Sequence, residues 1–156
     1  MERGSPPGAA TAEAPLEPAV ERRVRAHFAG IPALRTLGVT LHALGPGRCE
    51  MHVPIAAPYL QQHGYLHGGI IGLVADSASG HAALTLAPLD HGVITVEYKL
   101  NFLAPAAGER LVVRAEVLRG GRTLTVSAAQ AYALRAGAET LCASALVTYI
   151  TLPPRQ

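Results

Sequence analysis

Lysine is almost missing from this chain. Lys99 stands alone, the other basic residues are arginines scattered without a run, and the formal net charge is only +2. That balance argues against nucleic acid as the main partner. Cysteine is equally scarce. Cys49 and Cys142 lie far apart in apolar, strand-like segments, which points to buried free thiols and a reducing, cytoplasmic setting rather than a disulfide framework. No apolar run is long enough to suggest a membrane span, because the most apolar window is interrupted by Asp76 and His81. Residues 1–18 mix Gly, Pro, Ala and Glu without an apolar core, so neither a signal peptide nor a folded element is expected there. Internal repeats are absent. The serine-hydrolase elbow Gly-x-Ser-x-Gly is also absent, since Ala75 and Ser79 flank Ser77 where glycines would stand.

What remains, residues 19–156, suits a single domain with one core. Glu17 to Gly30 sets charged Glu21, Arg22, Arg23 and Arg25 beside Val20, Val24 and Phe28, predicting a short amphipathic helix. Thr36 to Leu44, the turn Gly45-Pro46-Gly47, and the alternating Cys49, Met51 and Val53 read as a hairpin. Ala56 to Leu66 is broken by Pro58 and Gly64 and reads as a loop. Four strand-like runs follow Pro88. The first predicts Ile94, Val96, Tyr98, Leu100 and Phe102 on one side and Thr95, Glu97, Lys99 and Asn101 on the other. Leu111 to Val117, Thr123 to Leu134 and Leu141 to Leu152 complete the set, with Gly120-Gly121 as a hairpin signal. The element order predicts an α+β fold, an antiparallel sheet wrapped around one long central helix.

That central helix runs from His67 to Ala87 and is stopped by Pro88. Gly68 and Gly69 open it with unshielded N–H groups at the positive end of the helix dipole, a place where a developing oxyanion would be stabilised. Gly72, Ala75, Ser79 and Ala83 recur at three- and four-residue steps and predict a narrow face open to close approach by another backbone. Asp76 sits in apolar company, where a carboxylate needs a partner or a chemical role.

The pattern Gln61-x-x-Gly64-x-x-His67-Gly68-Gly69, with Asp76 nine residues after the histidine, is followed by Thr95-x-Glu97-x-Lys99-x-Asn101-Phe102-Leu103-x-Pro105. Together they resemble the hot-dog-fold acyl-CoA thioesterases of the phenylacetate (PaaI-like) type, over about Leu34 to Ile150. The resemblance implies a thioester hydrolase in which Asp76 is general base or nucleophile. It further implies the Gly68 N–H as oxyanion donor and Thr95 as the hydroxyl that holds the attacking water. Gln61 stands where many members carry asparagine, with its amide one methylene further out. His67 is a further candidate on the substrate side. Coenzyme A enters as part of the substrate, and no separate cofactor or metal is expected.

The chemistry of the residues agrees. Hydrolysis needs a donor at the carbonyl oxygen and a base or nucleophile at the carbonyl carbon, and Gly68 and Asp76 are of those two types. Eight helical residues separate them by roughly 12 Å, too far to meet one carbonyl, so the site would be shared between subunits of at least a homodimer, with a homotetramer also expected. Each residue has a plainer reading as well. Asp76 could be a satisfied polar group, Gly69 a mere helix start, His67 a packing residue, and Thr95 an ordinary strand threonine. Arg119 and Arg122, flanking Gly120-Gly121, are candidates for the phosphates of coenzyme A, although hairpin arginines are commonly just solvated. Gly69 and Gly121 are the accompanying backbone positions. His63 and His67 are four apart but lack a third ligand, which argues against a metal. A non-catalytic acyl-CoA-binding hot-dog module, and more weakly a hot-dog dehydratase, stand as alternatives.

Overall fold

A computed structural model describes residues 15–154. The expected unstructured segment lies for the most part outside these residues, but its end does not. Glu17 caps helix α1 (Pro18–Ala29), its carboxylate accepting from the Ala19 and Val20 N–H groups at 3.1 and 3.2 Å. A second helix, α2 (Pro32–Thr36), was not expected. Pro32 presets its first turn, and Gly38 at φ +67° then swings the chain out of it. Strand β1 therefore begins at Thr40 rather than Thr36 and runs to Gly45, paired with β2 (Arg48–Pro54).

Helix α3 spans Gly68–Leu84, followed by β3 (Gly92–Phe102), β4 (Arg110–Gly120), β5 (Leu124–Arg135) and β6 (Ala138–Leu152). All pairings are antiparallel and form one six-stranded sheet in the order β1-β2-β4-β5-β6-β3. The sheet packs its inner face on α3, as the order of elements predicted. Met51, Val53, Val74, Leu111, Val113 and Val147 are all fully buried between them. Each such side chain contributes about 1.5–3 kcal/mol of transfer free energy. Cys49 and Cys142 are free thiols in this core, as expected. Among the described residues no helix is long and apolar enough to cross a membrane.

The carbonyl groups that α3 leaves unpaired at its end are gathered by α1. The Arg23 guanidinium donates to the Leu84, Ala87 and Pro88 carbonyls, with His91 O at 3.4 Å. A planar cation at the negative end of a helix dipole suits that place.

The ladder is irregular at four points, two of them inside the sheet, between Val117 and Arg119 on β4 and at Ala131/Tyr132 on β5, and one on each edge strand. The β1–β2 register shifts between Leu41 and Ala43, and the β3–β6 register shifts between Thr95 and Glu97. On each edge strand one residue, His42 or Val96, is left without a partner across the ladder, which is a β-bulge.

Candidate active site

The bulge at Val96 corrects the simple alternation expected for β3. Thr95 lies opposite Tyr149, and Tyr98 lies opposite Val147, both inward-facing residues of β6. Three β3 residues thus span what two β6 residues span. Thr95, Tyr98, Leu100 and Phe102 consequently face the helix, whereas Glu97, Lys99 and Asn101 face outward. Glu97 accepts from the Thr148 hydroxyl and Lys99 donates to Asn101 on that outer side. A straight strand would have put Thr95 in the same row as the charges.

Along α3, residues 68, 72, 76 and 80 form a stripe with one residue per turn. Three are glycines, and each takes an aromatic side chain from the sheet. A Cβ at Gly68 would lie 2.7 Å from Phe102 Cζ, one at Gly72 3.2 Å from the Tyr98 hydroxyl, and one at Gly80 3.2 Å from Tyr149 Cε1. Close approach at Gly72 was expected from another backbone, and it is made by side chains instead. The fourth member is Asp76, the only one with a side chain to place.

That side chain is tethered from the sheet. The Thr95 hydroxyl donates to Asp76 Oδ1 at 2.7 Å. The Tyr149 hydroxyl reaches the Asp76 carbonyl oxygen at 2.5 Å and Oδ1 at 3.1 Å. Asp76 is half-buried, and Tyr149 is buried. Burial and the adjacent Asp76 charge push the Tyr149 phenol well above its ordinary range, so it stays a proton donor. Among the described residues no group bonds to Oδ2. One carboxylate oxygen is fixed and the other is free.

The N-terminal end of α3 gathers Gln61 and Gly68. Both line a cleft of about 460 Å³ together with Tyr65, Leu66, Ile71 and the segment 102–106. The Gly68 N–H has no acceptor among the described residues. Gln61 Oε1 accepts from the His63 N–H at 2.5 Å, which fixes the orientation of the amide and leaves its NH₂ group as the donor still available. His67 turns out to be the cap of α3. Its Nδ1 accepts from the Gly69 N–H at 3.0 Å, so the neutral ring carries its proton on Nε2 and the Gly69 N–H is already used. Asp76 and Thr95 do not line this cleft.

The family model for the thioesterase superfamily matches residues 63–140, half of the chain, including Gly68, Asp76 and Thr95. The chain belongs to the thioesterase superfamily. A thioesterase family protein from Silicibacter pomeroyi is 47% identical with a TM-score of 0.85, covering 86% of this chain and 98% of its own. Human acyl-coenzyme A thioesterase 13 is 33% identical over 92 residues, and the match spans 58% of this chain and 65% of that protein. The Escherichia coli PaaI protein shares the fold at 18% identity, with a TM-score of 0.79 over 89% of this chain and 97% of its own. The fold is thus the hot-dog fold, of the PaaI type.

In this thioesterase chain Arg119, Gly121 and Arg122 stand apart from both groups. They are exposed around the β4–β5 turn, where the Gly121 N–H bonds to Leu124 O at 2.9 Å. A Cβ at neighbouring Gly120 would meet Leu86, just beyond the far end of α3, so one chain does not bring these arginines to the Gln61–Gly68 cleft. Tyr149 and Phe102 are the thioesterase residues at the site that sequence reasoning did not single out. Tyr149 had a readable signal, a lone hydroxyl in the inward row Ala145, Val147, Tyr149, since buried tyrosines need a hydrogen-bond partner.

Proposed function

We propose that the protein hydrolyses acyl-CoA thioesters, with Asp76 of one subunit and the Gly68 N–H of another meeting at one carbonyl. The observation that carries this reading is the Asp76 carboxylate, held on Oδ1 by Thr95 with Tyr149 beside it and unpartnered at Oδ2. A carboxylate fixed in that way is oriented for work on a neighbouring water or carbon atom. As general base, Oδ2 takes a proton from water while the water oxygen attacks the thioester carbon. The negative charge arriving on the carbonyl oxygen is met by the Gly68 N–H and the Gln61 amide. Collapse of the tetrahedral species breaks the C–S bond, and the proton passes to the departing thiolate. Direct attack by Oδ2, giving an anhydride that water then opens, uses the same placement.

Sharing between subunits is supported by the separation of the two groups along α3. It is further supported by β3, an edge strand of eleven residues that among the described residues pairs only with β6. An open edge of that length is a template for pairing with another chain. The human relative acts, by its name, on acyl-coenzyme A, which supports that substrate class here.

Release of free thiol from a panel of acyl-CoA esters tests the reading. Cys49 and Cys142 are buried in the fold, and burial lifts the Cys49 thiol to about 12, so the protein's own thiols contribute little signal. Turnover on at least one ester is the expected outcome. Saturable binding without thiol release would instead identify an acyl-CoA-binding module.

A further inference from the structure

On the face of the sheet turned away from α3, at its β1–β2 edge, lies a second cluster that plays no part in thioester chemistry. His52 Nε2 is 2.7 Å from Glu50 Oε1, and His42 Nε2 is 3.8 Å from the same oxygen. The two imidazoles stack with centroids 4.3 Å apart and planes 17° from parallel. One ligand atom from each of the three residues lies within 4.8 Å of the others. The β-bulge builds this arrangement. Leu41 lies opposite buried Met51 and Ala43 opposite Glu50, so the extra residue His42 is set down on the outer face beside Glu50 and His52.

We propose that His42, Glu50 and His52 bind one divalent transition-metal ion of the zinc, copper or nickel kind, clamping edge strand β1 to β2. Two imidazoles and a carboxylate are the ligand types these ions favour. Tetrahedral zinc bonds of about 2.0–2.1 Å set neighbouring ligand atoms roughly 3.3 Å apart. The two imidazole–carboxylate distances each need to change by only about half an ångström to meet that spacing. The His52 and Glu50 side chains are 13% and 21% exposed and held in place, whereas His42 is 59% exposed and free to swing onto an ion. Solvent is left to supply the fourth position.

The surroundings fix the carboxylate, as outer partners do in metal sites. Glu50 Oε2 accepts from Arg114 Nε at 2.9 Å, and Arg114 is in turn gripped by both oxygens of Glu139 at 2.7 and 2.8 Å. The guanidinium sits 5.1 Å from the centroid of the Tyr132 ring. Two carboxylates against one guanidinium leave net negative charge beside the histidines, which favours a cation there.

The experiment uses untagged protein, stripped with a chelator and titrated with zinc chloride by calorimetry. Copper(II) is added to a parallel sample for electron paramagnetic resonance. Saturable uptake of one ion per chain is expected, with a rise in melting temperature and a copper spectrum split by two imidazole nitrogens. Losing an outer partner of a metal ligand already costs about 10–100-fold in affinity, so His42→Ala should weaken uptake by at least that much and remove one nitrogen from the spectrum. His42 is exposed, so this variant folds, which circular dichroism checks. His52→Gln, which keeps a polar group beside Glu50, should behave alike. Absence of saturable uptake overturns the proposal. So does uptake that survives both substitutions, since it would belong to other histidines such as His63, His67 or His91.

Discussion

The Thr95 hydroxyl reaches Asp76 Oδ1 at 2.7 Å because β3 bulges at the next residue, Val96. Strand and helix thereby meet through one oriented oxygen. Oδ2 has no hydrogen-bond partner among the described residues.

Replacing Asp76 removes the group on which the proposed chemistry depends. Asp76→Ala and Asp76→Asn should each lower the turnover of the best acyl-CoA by on the order of 100-fold or more, with folding retained. Steady-state thiol release and circular dichroism check this. Near-wild-type turnover in either variant would make Asp76 a structural residue.

Thr95 and Tyr149 hold the same carboxylate, so their effects should not add. Thr95→Val and Tyr149→Phe each remove one donor and should each cost roughly tenfold or more in kcat. The double variant should lose less than the product of the two, the signature of residues acting on one partner. Strict multiplicativity in a double-mutant cycle would mean that they act independently.

Gln61 makes a loop contact through its oxygen and offers its NH₂ group to the cleft. If that group meets the developing oxyanion, Gln61→Ala should lower kcat by roughly 10- to 1,000-fold and change KM little. Gln61→Asn tests reach, keeping the rate only if the shorter amide still arrives. A kcat within twofold of wild type in Gln61→Ala would reduce the residue to a loop brace.

Complementation tests the shared site. Gly68 is the first residue of α3, a position where proline fits the helix, so Gly68→Pro removes the N–H at the cost of displacing the Phe102 ring. Gly68→Ala displaces the same ring and keeps the N–H, and serves as control. Refolding Asp76→Ala with Gly68→Pro should place both lesions in one site of a mixed dimer and restore activity at the other. Mixed dimers without activity, alongside an active Gly68→Ala, would place each site within one chain.

His81 makes stability fall in mild acid. It is buried, its Nδ1 donates to the Ser77 carbonyl at 2.7 Å, and its Nε2 faces His27 Nδ1 at 3.3 Å. Burial lowers its pKa from 6.5 to about 4, the Ser77 bond opposing and His27 adding to the shift. The unfolded chain therefore binds a proton that the folded chain refuses. This contribution is complete above pH 6.5 and is lost between there and about pH 4, amounting to about 2 kcal/mol by pH 5. Urea midpoints at pH 7 and pH 5 measure it, and His81→Gln should flatten the difference.

Much of this was readable in the residues. The order of helices and strands gave an antiparallel sheet wrapped around one helix, because apolar periodicity and the Gly-Pro breaks survive in a single sequence, and the hot-dog fold came from the family resemblance. Gly68, Asp76 and Thr95 carried the family pattern, and the thioesterase superfamily is what the chain matches. The facing of β3 was not readable. A bulge arises from how two strands fit across a ladder, and nothing in Thr95-Val96-Glu97 marks it locally. His67 was ambiguous for a similar reason. Its Nδ1 becomes a cap only once the chain turns at 67, which the sequence does not mark. The His42, Glu50 and His52 cluster was hidden by the other edge-strand bulge, which joins residues from two strands on one face.

The sheet order also dictates a schedule for synthesis. β3 is made before β4, β5 and β6, yet among the described residues its only neighbour in the sheet is β6, and Tyr149 lies on β6 as well. Asp76 therefore emerges early and waits while two further hairpins form, its tethers closing only when the last strand docks. Such a pairing of distant segments is slow to nucleate and leaves β3 exposed meanwhile. A nascent chain halted before β6 would lack the Tyr149 tether and the strand that seats β3, so the arrangement proposed for catalysis is among the last things the growing polypeptide acquires.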